Sequence, residues 1–190
     1  AQAAKFRGGE VNLIHGPLQF SESLLEGLNT FPITNSSEMQ DELMNLKASA
    51  DFIVMAAAVS DFRSKSGASQ KKIPKIEFIS NLAENLEIVP DLLCDLTSKS
   101  HSKQLILGFS ALTGKSSEIK QAGEVKRIAK NCDLLFANPV DIPEQGFGSD
   151  FNSGVLLGAN GFEMDFPVLS KLSLANKLLD ELFNMKSKFL

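Results

Sequence analysis

The chain has 190 residues, 43% of them hydrophobic and 22% charged, with a formal net charge of −4. That length supports one full domain with a sizeable core, and the acidic balance argues against nucleic acid as a partner. No apolar run approaches the roughly 18 residues of a membrane span, and no signal peptide precedes the first helix-like segment. The expectation is a cytoplasmic protein without membrane contact.

In chain order, "AQAAKFRGG" reads as the back end of a helix closed by Gly8 and Gly9. "EVNLIHG" is strand-like. "SSEMQDELMNLKAS" predicts a helix, with Ser37 and Gln40 at the spacing of a capping box. "DFIVMAA" is a second apolar strand, and it thins to Ala56, Ala57, Ala58 and Val59 before Asp61 and Arg63 appear. The basic, glycine- and serine-bearing stretch that follows has neither helical nor strand period, and it predicts a mobile flap over residues 64–80.

"PDLLCDLTSK" predicts a helix with proline near its first turn, and "QLILGFS" a strand. In "KSSEIKQAGEVKRIAKN" the residues Ile119, Ala122 and Val125 or Ile128 fall at helical spacing. "DLLFANP" and "SGVLLGA" are strand-like. The segment "SGVLLGANGFEMDFPVLS" reads either as an extended arm or as a hairpin turning at Asn160-Gly161. In the closing helix "SKLSLANKLLDELFN" the predicted apolar face is Leu172, Ala175, Leu179 and Leu182 or Phe183. Cys94 and Cys132 lack CxxC spacing and read as reduced thiols. With His15 and His101 the only histidines, no metal-ligand cluster is predicted.

Continuous apolar strands alternating with helices predict an α/β, Rossmann-like, doubly wound and mostly parallel sheet with helices on both faces. Ligands of such sheets bind beyond the carboxyl ends of the strands. Asp61 and Arg63, then Phe109, Ser110 and Thr113, then Asn138 and "GFGSDFN", fall at those ends. Each has a plainer reading. Asp61 and Arg63 also suit a solvated pair, Lys71, Lys72 and Lys75 a charged loop, and Lys126 and Lys130 a solvated helix face. "GFGSDFN" suits a turn, or its Phe147, Asp150 and Asn152 shape a pocket. GxGxxG and GxxxxGK[ST] are both absent, which speaks against a nicotinamide-dependent dehydrogenase.

Taken in order, "AAAVSDFR" at 56–63, "KIPK" at 72–75, "VPDLL" at 89–93, "LGFSALT" at 107–113, "KRIAKNCDLLFAN" at 126–138, "GFGSDFN" at 146–152 and "SKLSLANKLLDEL" at 170–182 resemble the phosphopantothenoylcysteine synthetase family. The resemblance runs through most of the chain. It departs at Leu112, where the family has glutamate, and the family's opening strand and phosphate loop have no counterpart in these residues. It implies a single ligase domain over 1–190 that joins phosphopantothenate to cysteine with CTP as co-substrate, accompanied by Mg²⁺, through an acyl cytidylate. Lys72 is implied as catalytic. Met55, Ala56, Ala57, Asp61, Lys72, Pro90, Asp91, Leu92, Leu93, Phe109, Lys126 and Lys130 are implied as the nucleotide site. A homodimer and a phosphopantothenoylcysteine decarboxylase partner are implied as well. The competing expectation is a non-catalytic nucleotide-binding or flavoprotein-partner module on the same fold.

Overall fold

In the computed structural model, residues 1–17, 21–65, 67, 82–98, 104–146 and 148–187 are described. The helices are α1 (Gln2–Phe6), α2 (Ser36–Lys47), α3 (Leu82–Asn85), α4 (Leu92–Ser98), α5 (Ser116–Lys130) and α6 (Lys171–Ser187). The strands are β1 (Asn12–His15), β2 (Asn29–Pro32), β3 (Phe52–Met55), β4 (Phe62–Ser64), β5 (Leu86–Ile88), β6 (Leu105–Leu112), β7 (Leu134–Pro139), β8 (Phe151–Gly158) and β9 (Glu163–Ser170). The main sheet has the order β3-β6-β7-β8-β9. Its β3, β6 and β7 run parallel, and β8 and β9 are antiparallel to their neighbours.

The α/β layering expected from the alternation is what the chain forms, with a mixed sheet. β6 is buried on both sides because its side chains alternate between two helical layers. Ile106 joins Leu135, Ala137, Val155 and Leu157 beneath Leu93, Leu96 and Ile119 of α4 and α5. Leu105 and Leu107 join Leu134, Phe136 and Leu156 against Leu174, Leu178 and Leu182 of α6. Burying each of the larger of these side chains, the leucines, isoleucines, valine and phenylalanine, stabilises the fold by roughly 1.5–3 kcal/mol. Gly123 lets α5 lie close on the sheet, since a Cβ there would stand 2.6 Å from Leu157 Cδ1 and 2.9 Å from Ala137 Cβ.

Several local expectations shift. The cap of α2 is Asn35, whose Oδ1 accepts from the N–H groups of Ser37 and Glu38 at 3.0 Å. Glu38 reaches back to the Thr34 N–H at 2.6 Å, so the box is set two residues ahead of Ser37 and Gln40. The Thr34 N–H holds the Glu38 carboxyl below its ordinary value. On α5 the buried residues are Ile119 and Gly123, while Val125 and Ile128 are each 63% exposed, because the helix approaches the sheet on its smallest side chain. On α6 the inward face is Leu174, Leu178 and Leu182, leaving Leu172 and Phe183 half exposed. The helix is turned because α1 packs along it, with Arg7 bonded to Asn176 and Asp180.

The 153–170 segment is a hairpin. Asn160 and Gly161 carry φ of 58° and 75°, the left-handed pair that a tight two-residue turn requires. Strands β2, β4 and β5 are additions to the sequence reading. β1 and β2 form a separate parallel pair, and β4 and β5 a short antiparallel ladder. The flap expectation over 64–80 begins on the last residue of β4, and apart from Ser64, Lys65 and Gly67 it lies outside the described residues. Cys94 and Cys132 are free thiols, and burial pushes that of Cys132 up to about 11. No described helix is long and apolar enough to cross a membrane.

The ladder between β6 and β7 starts at Leu107 and Leu134, so the Ile106 N–H has no strand partner there. Asp133 Oδ2 accepts it at 2.8 Å, and burial raises the Asp133 carboxyl above its ordinary value. A raised acid pKa gives stability that is present at low pH and lost as pH climbs through the folded value. Asp133→Ala is expected to destabilise by about 1–3 kcal/mol through the orphaned N–H. Asp133→Asn keeps the acceptor, costs less, and removes this pH dependence. Urea melts of both variants across the acidic range check this, and equal losses would show that the bond to Ile106 is not what Asp133 supplies.

Candidate functional site

Beyond the carboxyl ends of β3, β6 and β7 lies a cavity of about 1100 Å³. Its first wall is the chain leaving β3. Met55, Ala56, Ala57, Ala58 and Asp61 all line it, and Ala56 to Ala58 are exposed methyls on the loop that follows the strand. The Asp61 carbonyl accepts from the Val89 N–H at 2.9 Å, which ties this wall to the start of the second.

That second wall is Pro90 to Leu93. Asp91 is the cap of α4, its Oδ1 accepting from the Cys94 N–H at 3.1 Å. The leucines behind it are core residues. The third wall is α5, stapled to α4 by Thr97 Oγ1, which donates to the Lys130 carbonyl at 2.8 Å. This fixes the last turn of α5 so that Lys126 and Lys130 both face the cavity. Lys130 Nζ is bonded to Asp91 Oδ2. Lys126 forms no side-chain hydrogen bond or ion pair among the described residues. Arg127, its neighbour, is instead engaged along the helix by both oxygens of Glu124 at 2.8 Å, which holds the Glu124 carboxyl low.

Phe109 meets the cavity from the opposite face of the sheet, its ring 5.4 Å from that of Phe136. Ser110, one residue on, is buried near the strand tip, and its hydroxyl has no hydrogen-bond partner among the described residues. Asn138, Gly146 and Asn152 also line the cavity, and so do Lys171, Leu174, Ala175 and Leu178 of α6.

Met55, Ala56, Ala57, Asp61, Pro90, Asp91, Leu92, Leu93, Phe109, Lys126 and Lys130 are therefore brought to one cavity from four separate elements. Lys72 lies outside the described residues, as do Lys71, Lys75 and Phe147. Arg63 is turned elsewhere. It pairs with Glu87 at 2.6 Å across the β4–β5 ladder and donates to Ser37 Oγ, so it braces the ladder and is absent from the cavity wall. Sequence reading named neither Gly146 nor the α6 residues as site residues. The helix returns over the strand tips only after the β8–β9 hairpin, and no motif announces that. No cluster of three or more His, Cys, Asp or Glu suited to a metal ion occurs among the described residues.

Residues 1–185 match the family described as the DNA/pantothenate metabolism flavoprotein C-terminal domain. Among curated proteins, the chain is 30% identical over 183 residues to the coenzyme A biosynthesis bifunctional protein CoaBC of Bacillus subtilis, which covers 96% of this chain and 43% of that protein. It is 33% identical over 187 residues to the protein of the same name from Thermococcus kodakarensis, covering 97% and 43%. The chain thus spans less than half the length of these relatives. Among solved structures, the C-terminal domain of a CoaBC protein superposes with a TM-score of 0.73 at 25% identity, over 98% of this chain and 81% of that one.

The Lys130–Asp91 pair is half exposed and contributes about 0–1 kcal/mol to stability. Its larger effect is to occupy a cation that faces the cavity. Asp91→Asn keeps the helix cap while freeing Lys130, so it is expected to bind tripolyphosphate severalfold more tightly with little change in melting temperature. Calorimetric titration checks this. Unchanged affinity would mean that Lys130 does not face the bound anion.

Proposed function

Because the chain belongs to the DNA/pantothenate metabolism flavoprotein C-terminal domain family, we propose that it is the phosphopantothenate–cysteine ligase domain of coenzyme A biosynthesis, with CTP as the activating nucleotide. One observation carries the reading. Bare methyls on a strand end, a helix start and a lysine face converge on a single cavity at the carboxyl edge of the parallel strands. Small side chains let a flat ring or a phosphate approach backbone groups, and clustered ammonium groups supply point charges for a polyphosphate.

Amide formation from a carboxylate needs that carboxylate activated. In the proposed reaction the phosphopantothenate carboxylate attacks the α-phosphate of CTP and pyrophosphate leaves. The cysteine amine then displaces CMP from the acyl cytidylate. The protein's part is positioning and charge neutralisation. Met55, Ala56 and Ala57 form the surface on which the nucleotide lies, and Asp61 is the polar group at its end. Pro90 to Leu93 supply contacts at the α4 start, and Phe109 an aromatic wall. Lys126 and Lys130 neutralise phosphate charge, and Lys72 covers the reacting phosphates and excludes water. Mg²⁺ would accompany the triphosphate and offset its charge, and Asp61 and Asp91 are the carboxylates on the cavity wall that could approach it. A homodimer, a decarboxylase partner fused or separate, and a cytoplasmic location complete the proposal. The relatives' description as bifunctional supports the decarboxylase partner.

The test is pyrophosphate release with CTP, phosphopantothenate and Mg²⁺, followed by cysteine-dependent CMP release, with ATP in parallel. Lys126→Ala is expected to weaken CTP binding about 10- to 100-fold, the loss of one charge-assisted contact. Lys72→Gln is expected to lower turnover about 10²-fold or more with binding largely kept. CTP binding without pyrophosphate release would favour a non-catalytic nucleotide-binding module.

A further inference from the structure

Buried hydroxyl groups in folded proteins are ordinarily hydrogen-bonded, because taking one out of water without a partner costs free energy. Ser110 departs from this. The residue is 7% exposed, and its Oγ is buried with no hydrogen-bond partner among the described residues. The cause lies in the face of β6 that it occupies. Ile106 and Leu112 pack in the layer beneath α4 and α5, whereas Leu105, Leu107 and Phe109 pack beneath α6. Ser110 falls in the first series, because side chains two apart on a strand share a face. Gly108 belongs to that series too, since a Cβ there would stand 2.7 Å from Leu93 Cδ2 and 3.5 Å from Cys132 Sγ.

None of the side chains beside Ser110 on this face carries a nitrogen or an oxygen. Its neighbours along β6 are Gly108 and Leu112, and its ladder partner on β7 is Ala137. The β3–β6 ladder ends at the Met55–Gly108 pair, and the chain beyond Met55 runs on as Ala56, Ala57 and Ala58. What Ser110 does have beside it is the cavity. It lines the wall together with Met55 and Leu135 of the same layer and with Lys126 and Lys130 of α5. An ammonium group donates hydrogen bonds and accepts none. A group that complements two lysines and a free hydroxyl is therefore rich in acceptors and negatively charged. Phosphate oxygens meet both conditions. A serine hydroxyl also turns about a single bond, so its proton can be offered to such an oxygen without movement of the strand.

We infer that Ser110 is a further contact residue for the nucleotide, its hydroxyl donating to a phosphate oxygen of the triphosphate on the lysine side of the sheet. The inference rests on the nucleotide reading above and adds to it a neutral donor carried by the sheet itself. Lysines on long stems attract any polyanion, whereas a short hydroxyl on a strand held by its ladder sets where one oxygen lies. The free protein bears the unpartnered group as a cost, and the ligand removes that cost. Affinity and stability are thus opposed at this one position.

The test is Ser110→Ala, which deletes one oxygen atom from an otherwise unchanged wall. Thermal melts of the free chain are paired with calorimetric titrations of CTP and of inorganic tripolyphosphate. The expected result is a melting temperature that holds or rises by about 2–4 °C, with both ligands bound about tenfold more weakly. A fall in melting temperature would show that the hydroxyl is bonded within the free protein and would overturn the inference. Unchanged affinity for both ligands would overturn it as well. Weakening confined to one ligand, or a wild type that binds CTP but not tripolyphosphate, would remove the phosphate assignment. Failure of the wild type to bind either ligand would overturn the nucleotide reading itself, an outcome distinct from a wild type and a variant that bind both alike.

Discussion

Three parallel strands ending at one edge are the constraint on which the site depends. β3, β6 and β7 are held in register by the ladder pairs Ile53–Ile106 and Leu107–Leu134. Apolar layers on both faces fix that ladder, so its tips cannot shift independently. The cavity wall leaving β3 and the buried Ser110 and Asn138 at the ends of β6 and β7 are consequences of that register. Asp133 matters for the same reason. By accepting from Ile106 it completes the bonding where the β6–β7 ladder begins, far from the cavity.

Helix placement converts the strand edge into an electrostatic site. Close packing at Gly123 brings α5 onto the sheet, and the Thr97 contact aligns its last turn with α4. The helix then presents two lysines of unequal state. Lys126 is unengaged by described residues, whereas Lys130 is held by the Asp91 carboxylate that also caps α4. In the proposed reading, a polyanion entering the cavity would compete with Asp91 for Lys130 and so loosen a contact that joins two helices. α6 closes the other side with a cation at its first residue and leucines behind it.

Much of this was legible in the sequence, and the exceptions have physical causes. Long apolar runs such as "QLILGFS" have few alternatives to a doubly covered strand, so β3, β6, β7 and β8 were readable. The short edge pieces β2, β4 and β5 contain too few residues to show a period, and tertiary pairing makes them. Helix existence was readable for α5 and α6, but their buried faces were not. Leucine-rich α6 offers several plausible stripes, and the docking of α1 selects among them. On α5 glycine rather than valine marks the contact, a choice that hydrophobicity alone disfavours. The convergence of Met55 to Ala57, Asp61, Asp91, Phe109, Lys126 and Lys130 followed from the strand-end rule together with the family resemblance. The unpartnered hydroxyl of Ser110 did not, because it depends on which face of β6 that serine occupies and on what packs there.

The most direct test of the central claim is a crystal structure of the chain with a non-hydrolysable CTP analogue. The nucleotide is expected against Ala56 to Asp61, with phosphate oxygens bonded to Lys126 Nζ and Lys130 drawn away from Asp91. A nucleotide bound elsewhere, or one at the strand tips that leaves both lysines without phosphate contacts, would contradict it.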